Sequence, residues 1–171
     1  GGLSGDPGAA TDGGAVLGVN LLGAYEPATV NSAVSPVVDT QGWKNVHLQY
    51  QRWLEVEDGI FDTAGIRVDG ELAWQNYAAG DDDVNTHTHH RDGEWRFHDL
   101  DLSSTAQDGS VQVRFELQSD GGLEFGGWNI DEFCIVGTQP IACGDGVVAG
   151  VEECDDGNGN SDGAPDACRT N

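Results

Sequence analysis

The sequence predicts an all-β protein: an antiparallel β-sandwich of the jelly-roll kind with a small, disulfide-rich, irregular C-terminal tail. Three observations lead there. Apolar residues alternate with polar ones, as in Val111, Val113, Phe115 and Leu117 against Gln112, Arg114 and Glu116, the pattern of a strand buried on one face. No window sustains an apolar period of 3.6 residues, so no substantial helix is expected. Turn signals rich in Gly, Asp and Asn recur at a spacing suited to about seven to nine short strands.

In chain order, residues 1–14 are mainly Gly, Asp, Ala, Ser and Pro and read as a linker or arm. Ala15 to Gly23 (AVLGVNLLG) carries the first strand signal, and AYEPATVNSA then turns. Val34 to Asp39 is a short extended piece that Pro36 places at an edge. Trp43 to Glu57 is a long strand, with Val46, Leu48, Tyr50, Leu54 and Val56 on one face and Arg52 the only break among them. Ile66 and Val68 continue the alternation, and Asp69-Gly70 is a hairpin turn into ELAWQNY, with Leu72 and Trp74 inward. Residues 78–93 form a long polar loop. Trp95 and Phe97 open another strand, which runs to a turn at Gln107-Asp108-Gly109. Val111 to Leu117 follows, then a Ser-Asp-Gly-Gly turn and GGWNIDEFCIV. In that last stretch Trp128 and Ile130 take one side and Asp131, Phe133 and Ile135 the other. The sandwich therefore spans 15–137, with a linker at 138–142 and an acidic, cysteine-rich segment at 143–171.

Charge narrows the partners. Seven Lys and Arg against 30 Asp and Glu give a net charge of −23, which disfavours nucleic acid and anionic membranes and favours bound cations. No apolar run approaches the roughly 18 residues that span a bilayer, so membrane insertion is not expected. The absence of Met marks a processed or excised piece. Cys134, Cys143, Cys154 and Cys168 lie in the last quarter, and the segment that holds three of them has little apolar bulk. It needs disulfides, metal or both to fold, which places the chain outside the cytoplasm, secreted or at the cell surface. Four cysteines allow three pairings, which stay open.

Two stretches resemble known families. Ser35 to Gly70 (SPVVDTQGWKNVHLQYQRWLEVEDGIFDTAGIRVDG) and VRFELQSDGGLEFGGWNIDEFCI resemble the MAM-like jelly-roll domains appended to secreted bacterial proteases of the immune inhibitor A kind, and Gly14 to Pro36 fits the same pattern. Cys143 to Thr170 (CGDGVVAGVEECDDGNGNSDGAPDACRT) resembles the cysteine-rich repeat of secreted myxobacterial proteins, which implies that Asn171 is a cut within a longer array. Domains of the first family usually begin with a Trp-containing strand. Its lack before Gly1 would leave a sheet edge open or filled by another chain.

The candidate chemistry is metal binding. Calcium takes six to eight oxygens from carboxylates and carbonyls on turns; the sandwich offers Glu57, Asp58 and Asp62 after one strand and Asp120 and Asp131 around the Ser-Asp-Gly-Gly loop. The resemblance implies one calcium site at Glu57, Asp62, Asp120 and Asp131; solvated loop carboxylates are the alternative. In the tail, Asp145, Asp155, Asp156, Asn158 and Asp162 have the alternating oxygen character of a calcium loop, without the glutamate that closes an EF-hand. A disulfide-only knot is the alternative there. His87, His89 and His90 could converge on zinc or copper, or form a polar surface loop. His98-Asp99 lacks an accompanying nucleophile, and no HExxH, GxSxG or phosphate loop occurs, so no enzyme is expected. Trp53, on the polar face of its strand, is the candidate for stacking on carbohydrate. The expected function is a non-catalytic, extracellular, calcium-stabilised adhesion or structural module, self-associating or bound to another extracellular protein, and a subunit of a surface fibre built by strand addition. The alternative is a substrate- or carbohydrate-binding accessory domain of a secreted protease or glycosidase.

Overall fold

The structure, a computed structural model, describes residues 5–138, 155 and 157–159. Of the expected tail residues, Asp145, Asp156, Asp162, Cys143, Cys154 and Cys168 lie outside these, as does the side chain of Asn158. Two antiparallel sheets pack face to face, giving the expected sandwich. The first contains β1 (Leu17–Gly18), β11 (Gly127–Thr138) and β4 (Lys44–Val56) in that order, and β7 (His90–Arg91) and β8 (Arg96–Asp101) both pair with β4. The second runs β2 (Val30–Val34), β10 (Val113–Gln118), β5 (Thr63–Val68), β6 (Glu71–Gln75). β3 (Val38–Asp39) and β9 (Ser110–Val111) form a separate ladder. Helical structure among the described residues is confined to short 3₁₀ turns, as at Ala106–Asp108 and Gly157–Gly159, and no helix there is long and apolar enough to cross a membrane.

The period-two pattern places the core as expected. Val46, Leu48, Tyr50, Leu54 and Val56 from β4 meet Ala64, Ile66 and Val68 from β5 and Val113, Phe115 and Leu117 from β10. Phe115 sits edge-on to both Tyr50 and Trp128, with ring centroids 5.3 and 5.4 Å away. Successive strands β4 and β5, and again β10 and β11, lie in opposite sheets. The loops that join them therefore meet at one end of the sandwich.

Four expectations are corrected. Ala15 to Gly23 is a strand only at Leu17–Gly18, because Asn20 takes a left-handed backbone (φ 50°) and bonds Ala24 O, turning the chain. Residues read as a turn form β2 instead: as an edge strand it points Asn31 and Ala33 inward, so no apolar alternation announced it. Leu72 faces solvent at 52 % exposure, since the register slips one residue between Ile66↔Trp74 and Arg67↔Leu72. In β11 a bulge between Asp131 and Cys134, with Glu132 at φ 51°, returns Ile135 to the core face opposite Leu48 and sets Phe133 against Phe115.

The N-terminal arm is docked from Gly5 onward. Trp53 Nε1 donates to Gly5 O (2.8 Å), Trp95 Nε1 to Ala9 O (2.9 Å), and Thr11 donates from its backbone N and its Oγ1 to Asp131 Oδ2 (2.7 and 2.6 Å). The arm thereby covers part of the outer face of the first sheet, while Phe97, Asp99 and Asp101 of β8 stay exposed.

Candidate functional site

At the loop end of the sandwich β4 runs into a turn at residues 57–62, and the β10–β11 loop comes down beside it. Asp58 builds the turn. It is fully buried, and its carboxylate accepts backbone N–H groups from Ile60 (3.2 Å), Ala79 (2.7 Å) and Thr88 (2.7 Å). Burial acts to raise its pKa, but those three donors outweigh it and hold the group below the ordinary carboxylate range. Asn76 ties the other side, donating to Glu57 O (3.1 Å) and Asp62 O (3.0 Å) and accepting from Ala64 N (2.9 Å).

This scaffold aims Glu57 and Asp62, 8 % and 1 % exposed, at the exposed Asp120. One oxygen from each lies within 4.8 Å of the others, the one group of three or more such ligands among the described residues. Loop N–H groups orient two of the three carboxylates: Asp120 N donates to Asp62 Oδ1 (2.8 Å) and Gly122 N to Asp120 Oδ1 (2.6 Å). Tyr25 OH donates to Asp62 Oδ2. Burial, then the charge of Asp62 and more weakly that of Asp120, push the Glu57 carboxyl above its ordinary range. Among the described residues no Lys or Arg pairs with any of the three. Partly buried like charges without a counter-charge are costly, and an all-oxygen set with spare lone pairs fits a hard divalent cation such as calcium better than zinc, which favours N and S donors.

The fourth expected ligand is not in this group. Asp131 lies on the outer face of β11 opposite Gln51, held by Thr11 of the arm. In the tail, Asp155 Oδ1 accepts from Gly157 N (2.6 Å). Cys134 is exposed and has no disulfide partner among the described residues. The three loop histidines diverge: His87 packs edge-on to Phe61, His89 Nδ1 accepts from Asp58 N (3.3 Å), and His90 turns to Arg52. His98 and Asp99, adjacent on a strand, point to opposite faces; His98 stacks on Tyr50 inside, and Asp99 bonds His47 and Gln49 outside. The indole N–H groups of Trp53 and Trp95 are spent on the arm, which overlies the face proposed for sugar stacking.

Arg52, the break in the apolar face of β4, is resolved by a residue that sequence reasoning passed over. Asp92 accepts from Arg52 Nε (2.9 Å), Arg52 NH2 (3.3 Å) and Leu54 N (3.0 Å), and the guanidinium lies 5.2 Å from the Trp74 ring. Despite burial, which acts to raise it, the His90 and Arg52 hydrogen bonds and the Arg52 charge lower the Asp92 pKa to about 2. A lone Arg at a core position was the available signal, because it demands a buried carboxylate.

A second surface feature lies between the sheets. β1, only two residues long, leaves most of the β11 edge uncovered, and β2 is the outer strand of its sheet. Between them runs a groove with two lobes of about 270 and 310 Å³ that share Leu17, Ala33, Phe115 and Ile130. Phe133, Asp131 and Glu132 line one lobe; Trp128, whose buried ring N–H has no acceptor among the described residues, lines the other.

No protein-family model matches the chain. Over 128 residues, 74 % of its length, it is 31 % identical to Bacillopeptidase F of Bacillus subtilis (strain 168). The chain spans only 8 % of that protein.

Proposed function

We propose that the chain is a non-catalytic, calcium-stabilised β-sandwich module of a larger extracellular protein, accessory to a peptidase, which holds an extended polypeptide segment. Of the two functions considered from the sequence, the similarity to a small part of Bacillopeptidase F favours the accessory one; the resemblance to MAM-like domains points the same way. The observation that carries the binding role is the groove between β1 and β2. Two sheet edges flank it, and its floor is largely apolar, with Phe115, Ile130 and the Trp128 ring among its lining. A strand laid there would pair with the β2 edge and insert alternate side chains against Phe115 and Ile130. With −23 on each copy, self-association is opposed, and Asp131 and Glu132 on the rim favour a segment that alternates apolar and basic residues. Calcium at Glu57, Asp62 and Asp120 would fix the loops that join the two sheets.

Fluorescence anisotropy with a labelled Val-Lys alternating peptide tests this. Binding that Ala33→Phe abolishes, and that a Val-Glu peptide does not reproduce, supports the reading. Absence of binding, with filaments of the pure chain in electron micrographs, would return the role to the surface-fibre reading.

A further inference from the structure

We propose that the arm closes a second calcium site, formed by Asp6, Glu55 and Asn129 on the outer face of the first sheet. Asp6 lies in a stretch whose composition predicts solvation, yet it is only 3 % exposed. A buried carboxylate is costly unless its oxygens are satisfied. Here only Oδ1 is, by Asn129 Nδ2 at 3.1 Å; Oδ2 is buried with no partner among the described residues. Asn129 is fully buried, and its Oδ1 also lacks a donor.

Glu55 supplies the second charge. Its carboxylate abuts Gly5, where a Cβ would overlap it, and a Cβ at Gly18 would overlap Asn129 Oδ1. Both glycines thus make room for oxygen atoms, and Gly5 also takes a left-handed backbone (φ 96°) that turns Asp6 onto the sheet. On β4 and β11 the registers Gly127↔Glu55 and Asn129↔Trp53 set Glu55 and Asn129 as diagonal neighbours on one face. The cross-strand partner of Glu55 is Arg91, whose guanidinium lies 4.4 Å over the Phe125 ring and forms no ion pair with Glu55 among the described residues.

Two carboxylates that form no ion pair among the described residues and an amide oxygen make a hard-cation donor set that water can complete. A half-turn of the Asn129 amide would present Oδ1 beside Asp6 in place of Nδ2. The site is separate from Glu57, Asp62 and Asp120, and it couples ion binding to arm docking, since Trp53 Nε1 holds Gly5 O next to Asp6.

Terbium luminescence excited through tryptophan tests it on the full chain, because Trp53 adjoins this site. A calcium-displaceable binding phase is expected that Asp6→Ala removes, Trp53→Phe dims at least several-fold, Asn129→Asp tightens, and Glu57→Gln leaves intact. Calcium should also slow proteolytic cleavage of the arm in the wild type and in Glu57→Gln, and not in Asp6→Ala. A phase that persists unchanged in Asp6→Ala, or no tryptophan-excited phase in the wild type, overturns the proposal. Loss of a phase in Glu57→Gln alone would speak to the other cluster only.

Discussion

Arg52 and Asp92 show how one polar pair can anchor a long loop. Asp92 follows β7, donates its own N–H to Leu54 O (2.9 Å) and holds Arg52 inside the sandwich, so residues 78–93 are pinned where they return to β4. Removing one partner strands the other charge, so Asp92→Asn is expected to cost about 3–5 kcal/mol in urea denaturation, whereas Arg52→Met with Asp92→Leu costs much less. The pH dependence follows from the depressed pKa. Asp92 contributes stability that is fully present above the unfolded value of 3.8 and is lost as pH falls through about 2. That loss should amount to roughly 2 kcal/mol across the window, and to nothing in the Asp92→Asn variant. Glu57 works in the opposite sense: its raised pKa makes ion-free protein less stable as pH rises through that value. Calcium, by favouring the charged form, should flatten this slope when unfolding is followed from acid to neutral pH.

Elements were legible where one parity ran unbroken and illegible where the register slipped. The whole of β4 and β10 follows from alternation, because a side-chain period of two repeats for as long as the ladder is regular. Leu72 and Ile135 were assigned to the wrong faces because each lies beyond an extra residue, and a bulge leaves no mark in hydrophobicity. In β11 the extra residue puts Glu132 in a left-handed backbone, a conformation that Glu seldom adopts and therefore does not announce in sequence. Glu132→Val should cost about 1–2 kcal/mol in thermal unfolding, while Glu132→Gly leaves stability near the wild type. The candidate site was half legible for a related reason. Glu57, Asp62 and Asp120 sit on turns next to strands that sequence located correctly, but Asp131 lies past the loop on the outer face, and Tyr25 and Asn76 come from segments with no local signal. The docking of the arm was not legible, because its composition is that of a linker and the tryptophans that bind it lie about 40 to 90 residues away in sequence. Trp95→Phe should raise hydrogen exchange in residues 5–12 without changing the global unfolding midpoint.

At the scale of the molecule, calcium is expected to act as a staple between the sheets. Glu57 and Asp62 belong to the β4–β5 crossover and Asp120 to the β10–β11 crossover, so an ion that binds all three ties both connections. Calcium at about 100 times its dissociation constant should stabilise the fold by about 2.7 kcal/mol, and Glu57→Gln should remove most of that gain, measured as a shift in the melting temperature. The open edges of β2 and β11 have a consequence for how the molecule behaves in a crowd of its own kind. An uncovered edge is a template for any other edge, and mutual repulsion at −23 keeps copies apart at neutral pH. As pH approaches the isoelectric point near 4.1 that repulsion fades while the apolar groove remains. Colloidal stability is thus written into the acidic surface rather than into the sheets, and turbidity should rise sharply near that pH, later and more weakly for Ala33→Lys.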